Sequence, residues 1–320
     1  ADCIDSVLPL GAELIVVDTG SIDQTKPMAQ NKGAQVFDLP WKDDFSYARN
    51  YSLAKAQGKW ILWLDADDRL EQAAIDKIKV LIKSDADKAY GFMIKNTQDR
   101  GKSGSIFNQI RLIPNDKRIQ FSGKIHEQLS PSLQSQNIPI EFVKVQILHT
   151  GYANDDVVAA KQKRNLKLLL KETSWTAAKL FQVGGAYLDL KEYLSAIEWF
   201  VKAQDHAESK GEDPHVFEMV PFKIASCWAY LAEFSKAKEV VQNALLKFPN
   251  NAEGWLINSQ IHSSLGEKQY ACNSYIKLFA YEETQSFMPM DFKQMKIEAG
   301  RFISEYLKKI GKVEIAVALL

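Results

Sequence analysis

The stretch KWILWLDADDRL, residues 59–70, decides how the first half of the chain reads. An apolar run of strand character passes straight into three carboxylates, Asp65, Asp67 and Asp68. Like charges that close repel, so the cluster destabilises the fold unless positive charge sits among them. Residues two apart on an extended segment point the same way, which aims Asp65 and Asp67 at one site and turns Asp68 aside. Asp68 and Glu71 have the spacing of a capping box, so Asp68 is expected to cap a helix over LEQAAIDKIKVLIK.

Upstream, LIVVD (14–18) and AQVFDLP (34–40) read as short buried strands, closed by the turn residues TGS and by Pro40. Helical stretches over 22–32 and 45–57 separate the three strands, the first with a capping box of Ser21 and Gln24. Strands alternating with helices predict an α/β layer with a mostly parallel sheet. Ligands of such sheets sit beyond the carboxyl ends of the strands, where Asp18 and Asp65 both stand. Beyond residue 88, YGFMIKN, FNQIRLIP, RIQFSG and FVKVQILHTG read as strands without helices between them, and predict hairpins added at the sheet edge.

From about residue 154 the sequence is helical and it repeats. Gly184, Tyr187, Ala196, Phe200 and Ala203 stand at tetratricopeptide offsets. Ala225, Trp228, Ala237, Val241, Ala244 and Pro249 follow them, as do Ser259, His262, Ala271, Tyr275 and Leu278. HAESKGEDP (206–214) reads as an insertion between the first two units, and Ala299, Phe302 and Ala316 suggest a fourth. The expected organisation is an α/β domain over 1–152, a helical linker over 153–175 and tetratricopeptide-like repeats over 176–320. Such arrays bind partners or pair subunits. His206, His215 and His262 lie in them and receive no chemical role.

Lys plus Arg equals Asp plus Glu, 40 against 40, so no bulk charge draws the chain to nucleic acid or anionic lipid. Cys3, Cys227 and Cys272 are scattered and suit a reducing compartment. No stretch approaches the roughly 20 apolar residues of a membrane span, so a cytoplasmic protein is expected.

Two carboxylates beyond a strand end suit Mg²⁺ or Mn²⁺, which commonly carry a diphosphate as a further ligand and would supply the positive charge the cluster requires. VVDTGSIDQT, WKDDFSYARNYSLAKAQGKWILWLDADDRL and FSGKIHEQL, in that order and spacing, resemble glycosyltransferase family 2 over roughly residues 4–152. Its members are inverting sugar-nucleotide transferases with the GT-A fold and a DxD signature. WKDDFSYARN, GKIHEQ, ILHTGY and the helical repeats narrow the likeness to the transferases that modify bacteriocin peptides, some at a cysteine thiol. The resemblance implies that Asp18 approaches the nucleotide base and Asp65 the ribose, that Arg49 lies near the nucleotide, and that Asp67 binds the metal. It implies an acceptor-side base at Glu127, with His126 orienting or substituting, and a late metal ligand at His149, where histidine favours Mn²⁺. Trp41 and Tyr152 are candidates to flank sugar or base.

The expected donor is a nucleotide sugar, with uridine diphosphate as the carrier. The acceptor is a peptide, protein, lipid or glycan, and a homodimer through the repeats is an expectation by analogy. Family members open with a strand that lines the nucleotide pocket. Here ADCIDSVLPLGAEL reads as the end of the first helix, so that N-terminal strand is expected to be missing: either the chain is a fragment, or the strand comes from elsewhere, or the pocket is incomplete. The rival reading is a non-catalytic repeat scaffold with a degenerate transferase domain. A phosphotransferase is disfavoured by the lack of a glycine-rich phosphate loop.

Overall fold

The computed structural model describes residues 1–96, 106–150, 155–171, 173–211, 213–281 and 292–312. The chain falls into two compact units, with the break between Asp155 and Asp156. The first unit contains α1 (Asp2–Val7), a 3₁₀ turn (Leu8–Leu10), β1 (Ile15–Asp18), α2 (Thr25–Asn31), β2 (Gln35–Asp38), α3 (Phe45–Lys55) and β3 (Trp60–Leu62). β4 (Asp68–Leu70), α4 (Gln72–Leu81), β5 (Ala89–Asn96), β6 (Ile106–Pro114), α5 (Ser130–Ser135) and β7 (Ile140–His149) follow.

β1 pairs with β2 in parallel, from Ile15 opposite Gln35 to Asp18 opposite Asp38. The other strands form a sheet of order β3-β6-β5-β7-β4, in which β5 and β7 are parallel and the remaining pairs antiparallel. Parallel pairing is therefore the minority among the described strands, contrary to the expected mostly parallel sheet. The hairpin β5–β6 also lies at the centre of its sheet, where the sequence suggested an edge. Local patterning marks a strand, but only long-range pairing sets its position. RIQFSG forms no strand beyond an isolated bridge of Ser122 with Gln128, and α5 intervenes before β7.

Both expected capping boxes are absent. Thr25 opens α2 behind Gln24, which makes no side-chain cap, because Ser21 gives its backbone N–H to Asp18 instead. The helix after the acidic turn begins at Gln72 behind Glu71, and Asp68 lies three residues upstream in β4. A side-chain cap does open α3, where Asp44 accepts from the Tyr47 amide at 2.9 Å. At its other end, the Asn115 amide donates to the carbonyls of Ala56 and Gly58, satisfying groups the helix leaves unpaired. α3 thereby presents Arg49 and Asn50 at a fixed height against the strand ends.

Two cores hold this unit. Ile75 and Ile78 of α4 pack on Phe92, Ile94, Leu112 and Ile147 across one face of the sheet. Leu53 of α3 and Leu133 of α5 join Trp63, Ile110, Ile113 and Phe121 on the other. An apolar cavity of about 460 Å³ is lined from both sheets, by Ile15 of β1 with the preceding Leu14 and by Trp60–Leu62 of β3, together with Leu53 and Ile78.

The second unit is helical: α6 (Asp155–Leu169), α7 (Ala177–Asp189), α8 (Tyr193–Lys210), α9 (Pro214–Tyr230), α10 (Phe234–Lys247), α11 (Ala252–Ser264), α12 (Lys268–Phe279) and α13 (Phe292–Lys309). α7–α8, α9–α10 and α11–α12 pack as antiparallel hairpins. Ala196, Phe200, Ala203, Ala225, Ala237, Val241, Ala271 and Tyr275 of the repeat pattern are all buried. The apparent insertion 206–214 carries α8 on to Lys210 and supplies Pro214, the first residue of α9. Of the suggested fourth unit, Ala299 is buried and Phe302 packs on Tyr275 at 4.8 Å, while Ala316 is outside the described residues. No helix among the described residues is long and apolar enough to cross a membrane.

Candidate active site

The acidic stretch folds as a tight turn between β3 and β4. The Asp68 amide donates to the Asp65 carbonyl at 3.0 Å, and the Asp65 amide returns a bond to Asp68 Oδ2 at 2.8 Å. The Thr150 amide and hydroxyl both donate to the Asp67 carbonyl at 3.0 Å, which ties the turn to the end of β7. Asp68 pairs with His149 across β4 and β7. One ligand atom from each of Asp65, Asp67, Asp68 and His149 falls within 4.8 Å of all the others.

Asp68 is thus not turned aside, nor is it a helix cap. It is fully buried, with Oδ1 2.9 Å from His149 Nδ1 and Oδ2 accepting from Arg111 Nη1 at 2.8 Å. Arg111 was given no role in the sequence, yet it supplies much of the positive charge the turn requires. Its side chain is 2% exposed, its guanidinium lies 3.8 Å from the centre of the Trp63 ring, and Nη2 reaches Asp65 Oδ2 at 3.4 Å. Burial pulls its pKa down, against the opposing pull of Asp68 and Asp65. One signal was available: Arg111 interrupts the apolar strand segment IRLIP, and a charge inside a buried strand implies a buried counter-charge.

Arg49 is the second cation. Nη2 donates to Asp65 Oδ1 at 2.7 Å and Nε to Glu127 Oε1 at 2.5 Å, while the guanidinium lies 4.3 Å from the Trp63 ring centre. Burial works against its charge, but Asp65 and Glu127 outweigh that and raise its pKa. Burial likewise raises the Asp65 pKa, and the two guanidiniums more than reverse it, so Asp65 stays ionised. The His149 pKa is raised, first by its bond to Asp68. Four carboxylates (Asp65, Asp67, Asp68, Glu127) stand against two guanidiniums, a balance of −4 + 2 = −2 with His149 neutral.

That surplus and the donor set fit a divalent cation. Asp68 is enclosed and both its oxygens are engaged, whereas Asp67 is 35% exposed and, among the described residues, its carboxylate meets only His149, at 3.5 Å. Asp67 with His149 offers the mixed oxygen and nitrogen donors that Mn²⁺ accepts.

Glu127 and His126 follow Phe121–Gly123, a segment fixed by α3. The Asn50 side chain exchanges hydrogen bonds with the Phe121 backbone, and Ser46 Oγ donates to the Gly123 carbonyl. His126 adopts a left-handed backbone, φ 52°, a conformation non-glycine residues take at some cost and often near functional sites. The structure therefore brings Arg49, Asp65, Asp67, His149 and Glu127 into one network. Asp18 stands apart from it among the described contacts: it is 5% exposed and accepts from the Gly20 and Ser21 amides. Burial raises its pKa and those bonds more than offset it, leaving it lowered. Trp41 donates to Asp43 at 3.0 Å and packs edge-on against Phe45. Tyr152 lies outside the described residues.

Residues 1–131 match glycosyl transferase family 2. The chain is 36% identical over 211 residues to an uncharacterized glycosyltransferase of Rickettsia prowazekii, covering 57% of this chain and 71% of that protein. It is 30% identical over 207 residues to a TPR repeat-containing protein of Synechococcus elongatus, covering 62% of this chain and 51% of that one. With the SPbeta prophage-derived glycosyltransferase SunS of Bacillus subtilis it shares 28% identity over 175 residues, 52% of this chain and 40% of SunS. The chain thus spans about half or less of the Synechococcus and Bacillus relatives. It belongs to glycosyl transferase family 2, with tetratricopeptide repeats following the sheet unit.

Proposed function

We propose that the sheet unit moves a hexose from a uridine diphosphate sugar to an acceptor, with inversion at the anomeric carbon. The observation that carries this reading is Arg49. One guanidinium holds Glu127 on one side and Asp65 on the other, so an acceptor-side carboxylate and the acidic turn are fixed at a single spacing. Inversion needs that arrangement, a base on one face of the sugar and a leaving group on the other.

Asp18 and Asp65 are assigned to nucleotide base and ribose, Arg49 to the diphosphate side, and Asp67 with His149 to a divalent cation, Mn²⁺ or Mg²⁺. Such a cation, when bound, offsets the charge that builds on the departing diphosphate. Glu127 accepts the acceptor's proton as its nucleophile attacks. Arg49 occupies Oε1 of Glu127 and leaves Oε2 for that proton. His126, beside it on a strained backbone, orients the acceptor. The helical repeats hold a protein or peptide partner or pair two subunits. The scaffold reading is disfavoured by this same network, since a remnant gains nothing from holding a buried arginine among carboxylates.

Calorimetry with UDP and Mn²⁺, and turnover of UDP-sugars, test the assignment. Wild-type protein is expected to bind UDP only with the metal. Asp67→Ala should lose more turnover than the ~10–100-fold that follows loss of an outer-sphere metal partner. Equal turnover in both proteins would remove the metal role.

A further inference from the structure

A cavity of about 550 Å³ opens beside Glu127, walled by Trp63 and Phe142 and carrying the amides of Asn108, Gln128 and Gln134. Asn108 projects from β6 on the same face as Ile110, two residues along the strand. Phe142 of β7 stands opposite Gly91 of β5, and its ring occupies the space a Gly91 Cβ would need. Asn108 is half-buried, while Gln128 and Gln134 sit at the exposed rim. Among the described residues, none of these three side-chain amides has a hydrogen-bond partner in the protein. Among the described residues, no lysine or arginine lines the cavity, and Glu127 is its only carboxylate.

We propose that this cavity receives the acceptor and that the acceptor is an uncharged, hydroxyl-rich sugar. The inference rests on the glycosyl-transfer reading and narrows it. A side-chain amide offers donors and an acceptor together, as a hydroxyl does, so each amide matches a sugar hydroxyl in either sense. A cysteine thiol is weak in both senses and would leave the amides desolvated and unpaired. A phosphorylated or acidic acceptor would meet one opposing carboxylate and no cation in the described wall, since the nearby Arg49 is already engaged by Glu127 and Asp65. Aromatic walls with a few convergent polar groups are what a small polar ligand requires of a pocket. In the reaction, an acceptor hydroxyl oxygen bonds to the anomeric carbon as the bond from that carbon to the diphosphate oxygen breaks. The electron pair leaves with the diphosphate, and the hydroxyl proton passes to Glu127 Oε2.

The test is saturation-transfer NMR on the intact protein with UDP and Mn²⁺, offering cellobiose, maltose, lactose and N,N′-diacetylchitobiose separately. Glucuronic acid and blocked serine and cysteine peptides serve as competitors in class. At least one neutral disaccharide is expected to bind, and Asn108→Ala to weaken it by tenfold or more, with Gln128→Ala at the rim weakening it about threefold. Circular dichroism checks that Asn108→Ala folds; should it not, Gln128→Ala with Gln134→Ala carries the test. The assignment is overturned if no neutral disaccharide binds, if a blocked peptide binds in their place, or if the folded variants keep wild-type affinity. UDP and Mn²⁺ heats on the same samples separate the two readings. Heat without sugar binding sinks the acceptor class alone, and absence of heat sinks glycosyl transfer itself.

Discussion

The two units bury different things. In the sheet unit the interior includes Asp18, held by neighbouring backbone amides, and the pair Arg111 and Asp68, joined across 43 residues of sequence. In the helical unit the buried polar residues are Asn251, Asn258, Ser259, His262, Ser274 and Ser304, and no aspartate or arginine is buried among its described residues. Its cohesion comes from alanines and glycines that let aromatic rings in. Charge is buried at a cost that hydrogen bonds only partly offset, so a fold that needed only stability would do without it. The contrast locates chemistry in the first unit and packing in the second.

The sharpest way to break that contrast is to neutralise one carboxylate in each unit. Glu127→Gln keeps the shape and the bond from Arg49 but cannot take a proton, so turnover should fall by about 10²–10⁴-fold. UDP binding should be unchanged. Glu267→Gln makes the matching change in the helical unit, where the carboxylate holds Lys238 and His262, and should leave turnover alone. Steady-state rates with a UDP-sugar decide it; equal losses would place chemistry in both units, or in neither carboxylate.

Stability gives the next largest effect. Arg111→Ala leaves Asp68 buried without its guanidinium partner and strips one guanidinium from the Trp63 ring. Breaking a buried pair by removing one partner costs about 3–5 kcal/mol. Urea unfolding followed by hydrogen exchange of the β4 and β7 amides should show the loss there, with the helical amides protected as before. An unchanged midpoint would mean that the Arg111–Asp68 pair contributes nothing to the stability of the fold.

What could be read from the sequence follows the same divide. β1, β2 and β3 were legible because a short apolar run ended by turn residues is a local signal. The three helical hairpins were legible because a small residue and an aromatic recur at fixed offsets. The role of Asp68 was not legible. Its spacing to Glu71 satisfied a local rule, but Arg111, 43 residues away, and His149, 81 away, set its environment. β4 was lost for that reason, since three residues pair with β7 only because the turn before them is tied down. The central place of β5 and β6 was likewise hidden, because alternation within a strand carries no information on which strands flank it.

The smallest effect is the most discriminating for the helical unit, and it sits on two adjacent glycines. Gly184 and Gly185 both lie inside α7, where glycine costs about 0.5–1 kcal/mol relative to alanine. At Gly185 an added Cβ meets nothing within 4 Å, so Gly185→Ala should stabilise by about that amount. At Gly184 the Cβ would come 2.6 Å from Phe200 Cδ1, and Phe200 is fully buried and cannot swing away. Overpacking of that kind costs about 1–3 kcal/mol, which exceeds the gain in helix propensity, so Gly184→Ala should destabilise by about 1 kcal/mol. Opposite signs at neighbouring positions, measured as unfolding midpoints, would show that close approach of ring and backbone holds the repeat together. Two shifts of the same sign would show that α7 is set by helix propensity alone, and that the small-residue pattern marks composition, not contact.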